Sequence, residues 1–254
     1  ATFVSSNAAN NVALVMVDSI SGSAIGNYTL TQPTGITANI AQKVLTIGGT
    51  TVAANKVYDG STLATITGGT LVGVVAADFS NVNLIQSGTF AQSNVGNSIS
   101  VSISDSLSGP ASANYLLTQP ANVTANITPK TLTVTGTTVA DKVYNGSTAA
   151  VITGGTLVGV ITADNSNVTL TKAGSFVSAN AGSSIAVTIA DSISGSASSN
   201  YILSQPTGIT GNITPAPLGI SLSAVYSGSN TVTPTSFALT GLVNSETITA
   251  ISSA

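Results

Sequence analysis

One pattern recurs three times along the chain: Asn27-Tyr28, Asn114-Tyr115 and Asn200-Tyr201 each lead into a Gln-Pro step and then an Asn-Ile pair. The tyrosines lie 87 and 86 residues apart. A period of that length, held almost without insertion, constrains the chain to a tandem array of small units, and not one fold around one active site. A second marker runs in step: Val57-Tyr58-Asp59-Gly60 returns as Val143-Tyr144-Asn145-Gly146 and, more loosely, as Val225-Tyr226-Ser227-Gly228. The expected units are residues 43–129 and 130–215. Residues 1–42 match the second half of a unit, since Thr2-Phe3 aligns with Thr89-Phe90 and Asp18 with Asp105, and residues 216–254 match the first half of a divergent one. This permuted frame is expected either in a window on a longer array or where head-to-tail neighbours complete each other.

Within a unit the hydrophobic period is two. Ser98-Ile99-Ser100-Val101-Ser102-Ile103-Ser104 puts three aliphatic residues on one face and four hydroxyls on the other, the pattern of a half-buried strand. Its counterparts carry Val12, Leu14 and Met16, and Ile185, Val187 and Ile189. Thr131-Leu132-Thr133-Val134-Thr135 alternates in the same way. Turn signals fall between the strands at Tyr58-Asp59-Gly60-Ser61, Thr67-Gly68-Gly69, Ser108-Gly109-Pro110 and Gln119-Pro120. The expected fold is all-β: tandem immunoglobulin-like β-sandwich repeats of about 86 residues, mostly antiparallel, or another small antiparallel β domain in a linear array. A parallel β-helix would repeat every 20–30 residues instead, and no helical period of 3.6 stands out.

Composition narrows the function classes. Charged residues make up 5% of the chain, with five lysines spread singly at 43, 56, 130, 142 and 172, so no basic patch exists to neutralise phosphates and nucleic acid is not an expected partner. The longest apolar stretch, Leu71 to Ala77, is broken by Gly73 and is far short of a membrane-spanning helix. The low aromatic fraction, 4%, argues against a transmembrane barrel with its aromatic girdles. With 43% hydrophobic residues the chain is too apolar to stay disordered. Absence of Cys removes disulfides and thiolate metal sites, and absence of both Cys and His leaves the many serines without the usual base. No enzyme activity, cofactor or metal is expected.

The sequences Lys-Val-Tyr-Asp-Gly-Ser-Thr at 56–62 and Lys-Val-Tyr-Asn-Gly-Ser-Thr at 142–148, with the closings Asn-Tyr-x-Leu-x-Gln-Pro to Asn-Ile-Thr-Pro-Lys, resemble YDG-type repeat domains and the related MBG-type domains. The stretch with Ala224-Val225-Tyr226-Ser227-Gly228 and Leu239-Thr240-Gly241-Leu242 is closer to the MBG variety. The resemblance implies a place in long, exported bacterial surface proteins organised like filamentous haemagglutinin-like adhesins, where such units form stalks. It brings no catalytic residue to carry over.

The remaining candidates have structural explanations ahead of chemical ones. Asp59 and Asn145 before Gly suit a turn with positive φ. Tyr28, Tyr115 and Tyr201 are expected to be buried with the hydroxyl tied to backbone, ahead of stacking on a sugar. Asp18, Asp105 and Asp191 give one carboxylate per unit, thin for calcium, and are expected in loop-stabilising Asx turns, as are Asp78, Asp164 and Glu246. An isopeptide bond shared by every unit is excluded, because Ala216 and Ala224 replace Lys130 and Lys142 in the last copy; exposed or edge-guarding lysines are the simpler expectation.

The functional expectation is a structural stalk or filament-forming segment of a secreted or cell-surface bacterial fibre or adhesin. Its expected partners are further copies of itself, head-to-tail or lateral, because Ser/Thr-rich edges carry little charge to block pairing. In the head-to-tail version, residues 216–254 of one chain and 1–42 of the next build a composite domain by strand addition. The competing class is a module that binds host or matrix glycans.

Overall fold

A computed structural model describes residues 1–230 and 234–248. The chain forms two compact units, Ala1–Thr128 and Pro129–Ala254, each holding one complete repeat and one partial one. No α-helix occurs among the described residues, only short 3₁₀ turns, so the all-β expectation holds. None of these is long and apolar enough to cross a membrane.

In the complete repeat of the first unit, the opening strand Lys43–Ala53 runs antiparallel to Ile66–Val72. The strand Gly96–Ile103 is flanked by Gly88–Phe90 and Val123–Thr128, both antiparallel, in a five-stranded sheet. Alternation does the sorting: Ile99, Val101 and Ile103 are buried while the intervening serines face water. Leu45, Phe90, Val101 and Ile127 are at most 2% exposed and anchor the apolar interior. The second complete repeat reproduces this, with Leu132, Phe176 and Ile213 as anchors and Thr131, Thr133 and Thr135 on the solvent face of the strand Lys130–Val139.

The expectation of a mostly antiparallel unit misses one feature. The repeat's opening and closing strands run parallel. Lys43, Val44 and Leu45 pair with Tyr115, Leu116 and Leu117 in one sheet, and Lys56 and Val57 pair with Ile127 and Thr128 in the other. The second repeat repeats both pairings, Lys130 to Thr133 with Tyr201 to Ser204 and Lys142-Val143 with Ile213-Thr214. Parallel neighbours need a long crossover, and the whole intervening repeat serves as one.

The Thr67-Gly68-Gly69 segment also departs from expectation, because it lies inside the strand Ile66–Val72 and makes no turn. Gly68 and Gly69 have φ of +74° and +72°, opposite a register shift between Gly48 and Thr51. The pair therefore forms an irregularity within the hairpin, where glycine avoids the strain and the clash with the Thr50 carbonyl that a Cβ would bring.

The partial repeats are more open. In residues 1–42 the strands Thr2–Phe3, Ala9–Val15 and Thr37–Ile40 form a three-stranded sheet in which Phe3 is 42% exposed, against 2% for its counterpart Phe90. Residues after 215 contribute a hairpin of Gly219–Ala224 with Pro234–Thr240.

Candidate functional site

Three polar nodes recur in the complete repeats, each built on a motif visible in the sequence. The first is the tyrosine of Asn-Tyr. Tyr115 is buried, and its hydroxyl donates to Asp78 Oδ2 at 2.7 Å while accepting the Val75 N–H at 3.1 Å. Tyr201 does the same with Asp164, at 2.7 Å, and the Ile161 N–H, at 3.2 Å. The acid sits on a 3₁₀ turn, Ala76–Asp78 or Thr162–Asp164, whose start supplies the backbone donor. Burial, and then the bond to the Asp78 carboxylate, push the Tyr115 phenol above its ordinary value, against the lowering pull of the Val75 N–H. Tyr115 and Tyr201 are therefore buried and tied to backbone as expected, whereas Tyr28 departs from the expectation: in the open sheet of residues 1–42 it is 73% exposed. Asp78 and Asp164 are not simple Asx-turn residues, because each receives a hydroxyl from 37 residues away.

The second node joins Asp105 to the Gln of Gln-Pro. The Asp105 N–H donates to Gln119 Oε1 and Gln119 Nε2 donates back to the Asp105 carbonyl, both at 2.8 Å. The Asp105 carboxylate accepts the Ser87 N–H at 2.9 Å. Asp191 repeats the arrangement with Gln205 and the Ala173 N–H. Asp18 and Gln32 keep the reciprocal pair in the partial repeat. This corrects the Asx-turn expectation: the carboxylates of Asp105 and Asp191 tie together two inter-strand connections 18 residues apart and do not close a local turn. Both are 6% exposed, and their second oxygens are buried without a protein partner.

The third node is the Tyr-Asp-Gly turn. Asp59 Oδ1 accepts the Ser61 N–H at 2.8 Å, the Asx geometry expected, and Gly60 has φ of +77°. Asn145 does likewise with Ser147 at 3.1 Å. Lys56 is not an edge guard: its ammonium reaches Asp59 at 2.8 Å, the Ser61 carbonyl at 2.7 Å and the Leu63 carbonyl at 3.1 Å, with its charge 5.5 Å from the Phe90 ring centre. Lys142 is placed the same way, over Phe176 at 5.7 Å. Both lysines cap a turn and hold the ammonium over an aromatic ring. Burial opposes ionisation of Asp59, but the Lys56 and Ser61 donors outweigh it and hold the carboxyl below its ordinary value.

These nodes do not converge on one cleft. Among the described residues no group of three His, Cys, Asp or Glu is placed to hold a metal ion. The hollows along the surface are open. One of about 260 Å³ includes Tyr144, Asn180, Pro215 and Glu246, and another of about 380 Å³ includes Asn7, Lys43, Asp78 and Tyr115. The bonds of these three nodes run between strands, loops and turns of the repeat. The acid-to-tyrosine and aspartate-to-glutamine ties escape a local reading of the sequence, yet they keep fixed separations of 37 and 14 residues in both complete repeats.

Neither a curated protein nor a solved structure matches the chain. The family model described as the YDG domain matches it twice in tandem, over residues 41–123 and 128–208. These segments contain the Tyr-Asp/Asn-Gly turns, the buried Asn-Tyr tyrosines and the aspartate-to-glutamine pairs just described, and together they span more than half of the sequence, so the chain belongs to the YDG domain family.

Proposed function

We propose that this chain is a force-bearing structural segment of a secreted or cell-surface bacterial fibre or adhesin, non-catalytic, whose repeats set reach and stiffness. The observation that carries this reading is the parallel pairing of opening and closing strands in both sheets of both complete repeats. Tension applied through the backbone at the two ends of a repeat pulls such a pair lengthwise. All its hydrogen bonds are then loaded together in shear, whereas a hairpin pulled open at one end yields one bond at a time. Low charge and Ser/Thr-rich sheet surfaces suit association with further copies of the chain outside the cell.

Single-molecule stretching tests the proposal. Pulling the chain by its ends should give two abrupt unfolding events, each releasing up to about 300 Å for the 86 residues from Lys43 to Thr128 or from Lys130 to Pro215. Gradual extension without discrete events would reject a force-bearing role.

A further inference from the structure

The two motifs that mark the repeat also face its neighbours. At the front of the first complete repeat, Asn114 reaches back to residues 1–42: its Oδ1 accepts the Ala8 N–H at 2.8 Å and its Nδ2 donates to Asn7 Oδ1 at 3.2 Å. Gln42 adds a bond from Nε2 to the Ala113 carbonyl at 2.9 Å. At the far end of the second complete repeat, Tyr144 of Val-Tyr-Asn-Gly reaches forward, its hydroxyl donating to the Glu246 carboxylate. Glu246 aligns with Asp78 and Asp164, the acids that bind the Asn-Tyr tyrosines.

Gly146 completes the contact. Its φ is +70°, which the turn requires, but a Cβ there would also overlap Asn244 Nδ2 and lie 3.2 Å from Val243 Cγ1. The glycine therefore admits a neighbouring segment as well as making a turn. The segment it admits is itself strongly shaped: Asn244 and Ser245 have φ of +51° and +58°, and the Glu246 N–H closes the turn on the Val243 carbonyl at 3.0 Å.

We propose that Tyr144 and Gly146 form a docking surface for the following repeat, whose acid-bearing turn, Val243 to Glu246, seats on the glycine and accepts the tyrosine hydroxyl. In this turn the tyrosine and glycine thereby act between repeats, while Asn145 between them acts within one. The inference rests on the stalk reading, because a tied joint transmits tension and orientation from one repeat to the next. Tyr144 is placed as a positioning residue, and its phenol is raised above its ordinary value chiefly by the Glu246 bond and then by burial.

The test uses the full chain with ¹³C-labelled tyrosine followed by NMR through alkaline pH. Tyr144, identified by its loss in Y144F, should ionise above the ordinary tyrosine value, and E246Q should bring it down because the anionic acceptor is gone. In Y144F, which keeps the ring, amide exchange at Glu246 should quicken about fivefold or more while the strand Lys130–Val139 is unaffected. A Tyr144 titration that E246Q leaves unmoved, or unchanged exchange at Glu246 in Y144F, overturns the joint. Neither result bears on whether single repeats resist force, so the joint and the stalk can fail separately.

Discussion

Replacing Tyr201 with Phe removes one oxygen and leaves the packing of the ring intact, so the loss measures the polar node alone. The hydroxyl donates to the Asp164 carboxylate at 2.7 Å and accepts from the Ile161 N–H at 3.2 Å. A bond to a charged acceptor contributes about 1.5–3 kcal/mol, and a buried group left unpaired costs about 1–3 kcal/mol. The group that loses its acceptor is the part-buried Ile161 N–H, while Asp164, 8% exposed, loses one donor. Some overlap between the two effects leaves an expected destabilisation of about 2–4 kcal/mol for the second complete repeat. In urea, with slopes of about 1–3 kcal/mol/M for small domains, that moves the midpoint of this repeat down by about 0.7–4 M. Far-UV circular dichroism, with peptide-level hydrogen exchange to assign the transition, reads the shift. Tyr28→Phe is the matched control, since Tyr28 is 73% exposed, and it should stay within about 0.5 kcal/mol of the parent. A Tyr201→Phe protein as stable as that control would refute the node as a source of stability.

Three further outcomes follow from the same geometry. Asp59 has a lowered pKa in the fold, so its contribution is present above the ordinary carboxylate range and is lost as pH falls below about 4; Asp59→Asn should flatten that part of the acid-unfolding curve. Tyr115 has a raised pKa, so its contribution is complete below about pH 10 and is lost as pH climbs through the higher folded value; alkaline denaturation of Tyr115→Phe should begin from lower stability but show a weaker dependence on pH there. Gly154 has φ of +61° and its added Cβ would strike the Gly136 carbonyl oxygen, so Gly154→Ala should cost more than about 1 kcal/mol in thermal unfolding, whereas Gly208→Ala, with open space around it, should cost only the strain of its φ of +74°.

Much of the fold is legible in the sequence, because strands with one wet face write their burial as alternation. Ile99, Val101 and Ile103 are buried where the period of two puts them, and Asp59 and Asn145 make the turns their dipeptides predict. What escapes is long-range. Nothing near Asp78 announces Tyr115, and nothing near Lys43 announces a parallel partner 72 residues later, because pairing across a repeat leaves no local composition signal. Gly68-Gly69 misleads for a different reason: positive φ is needed equally in a turn and in a strand irregularity, and only the facing Thr50-Thr51 segment decides between them. Lys56 looks like an edge charge in sequence, yet the carbonyls of its own turn gather its ammonium inward.

The chain contains no cysteine, so engineered thiols give unique handles for testing the parallel clamp. Cysteines at the exposed positions Ala41 and Thr118 lie beyond opposite ends of the pair formed by Lys43 to Leu45 with Tyr115 to Leu117, and pulling on them loads that pair in shear. Cysteines at Ala41 and Ala113 lie at the same end, and pulling on them peels the pair open. The account predicts a markedly higher rupture force for the first geometry than for the second at the same loading rate. Equal forces in the two directions would contradict it.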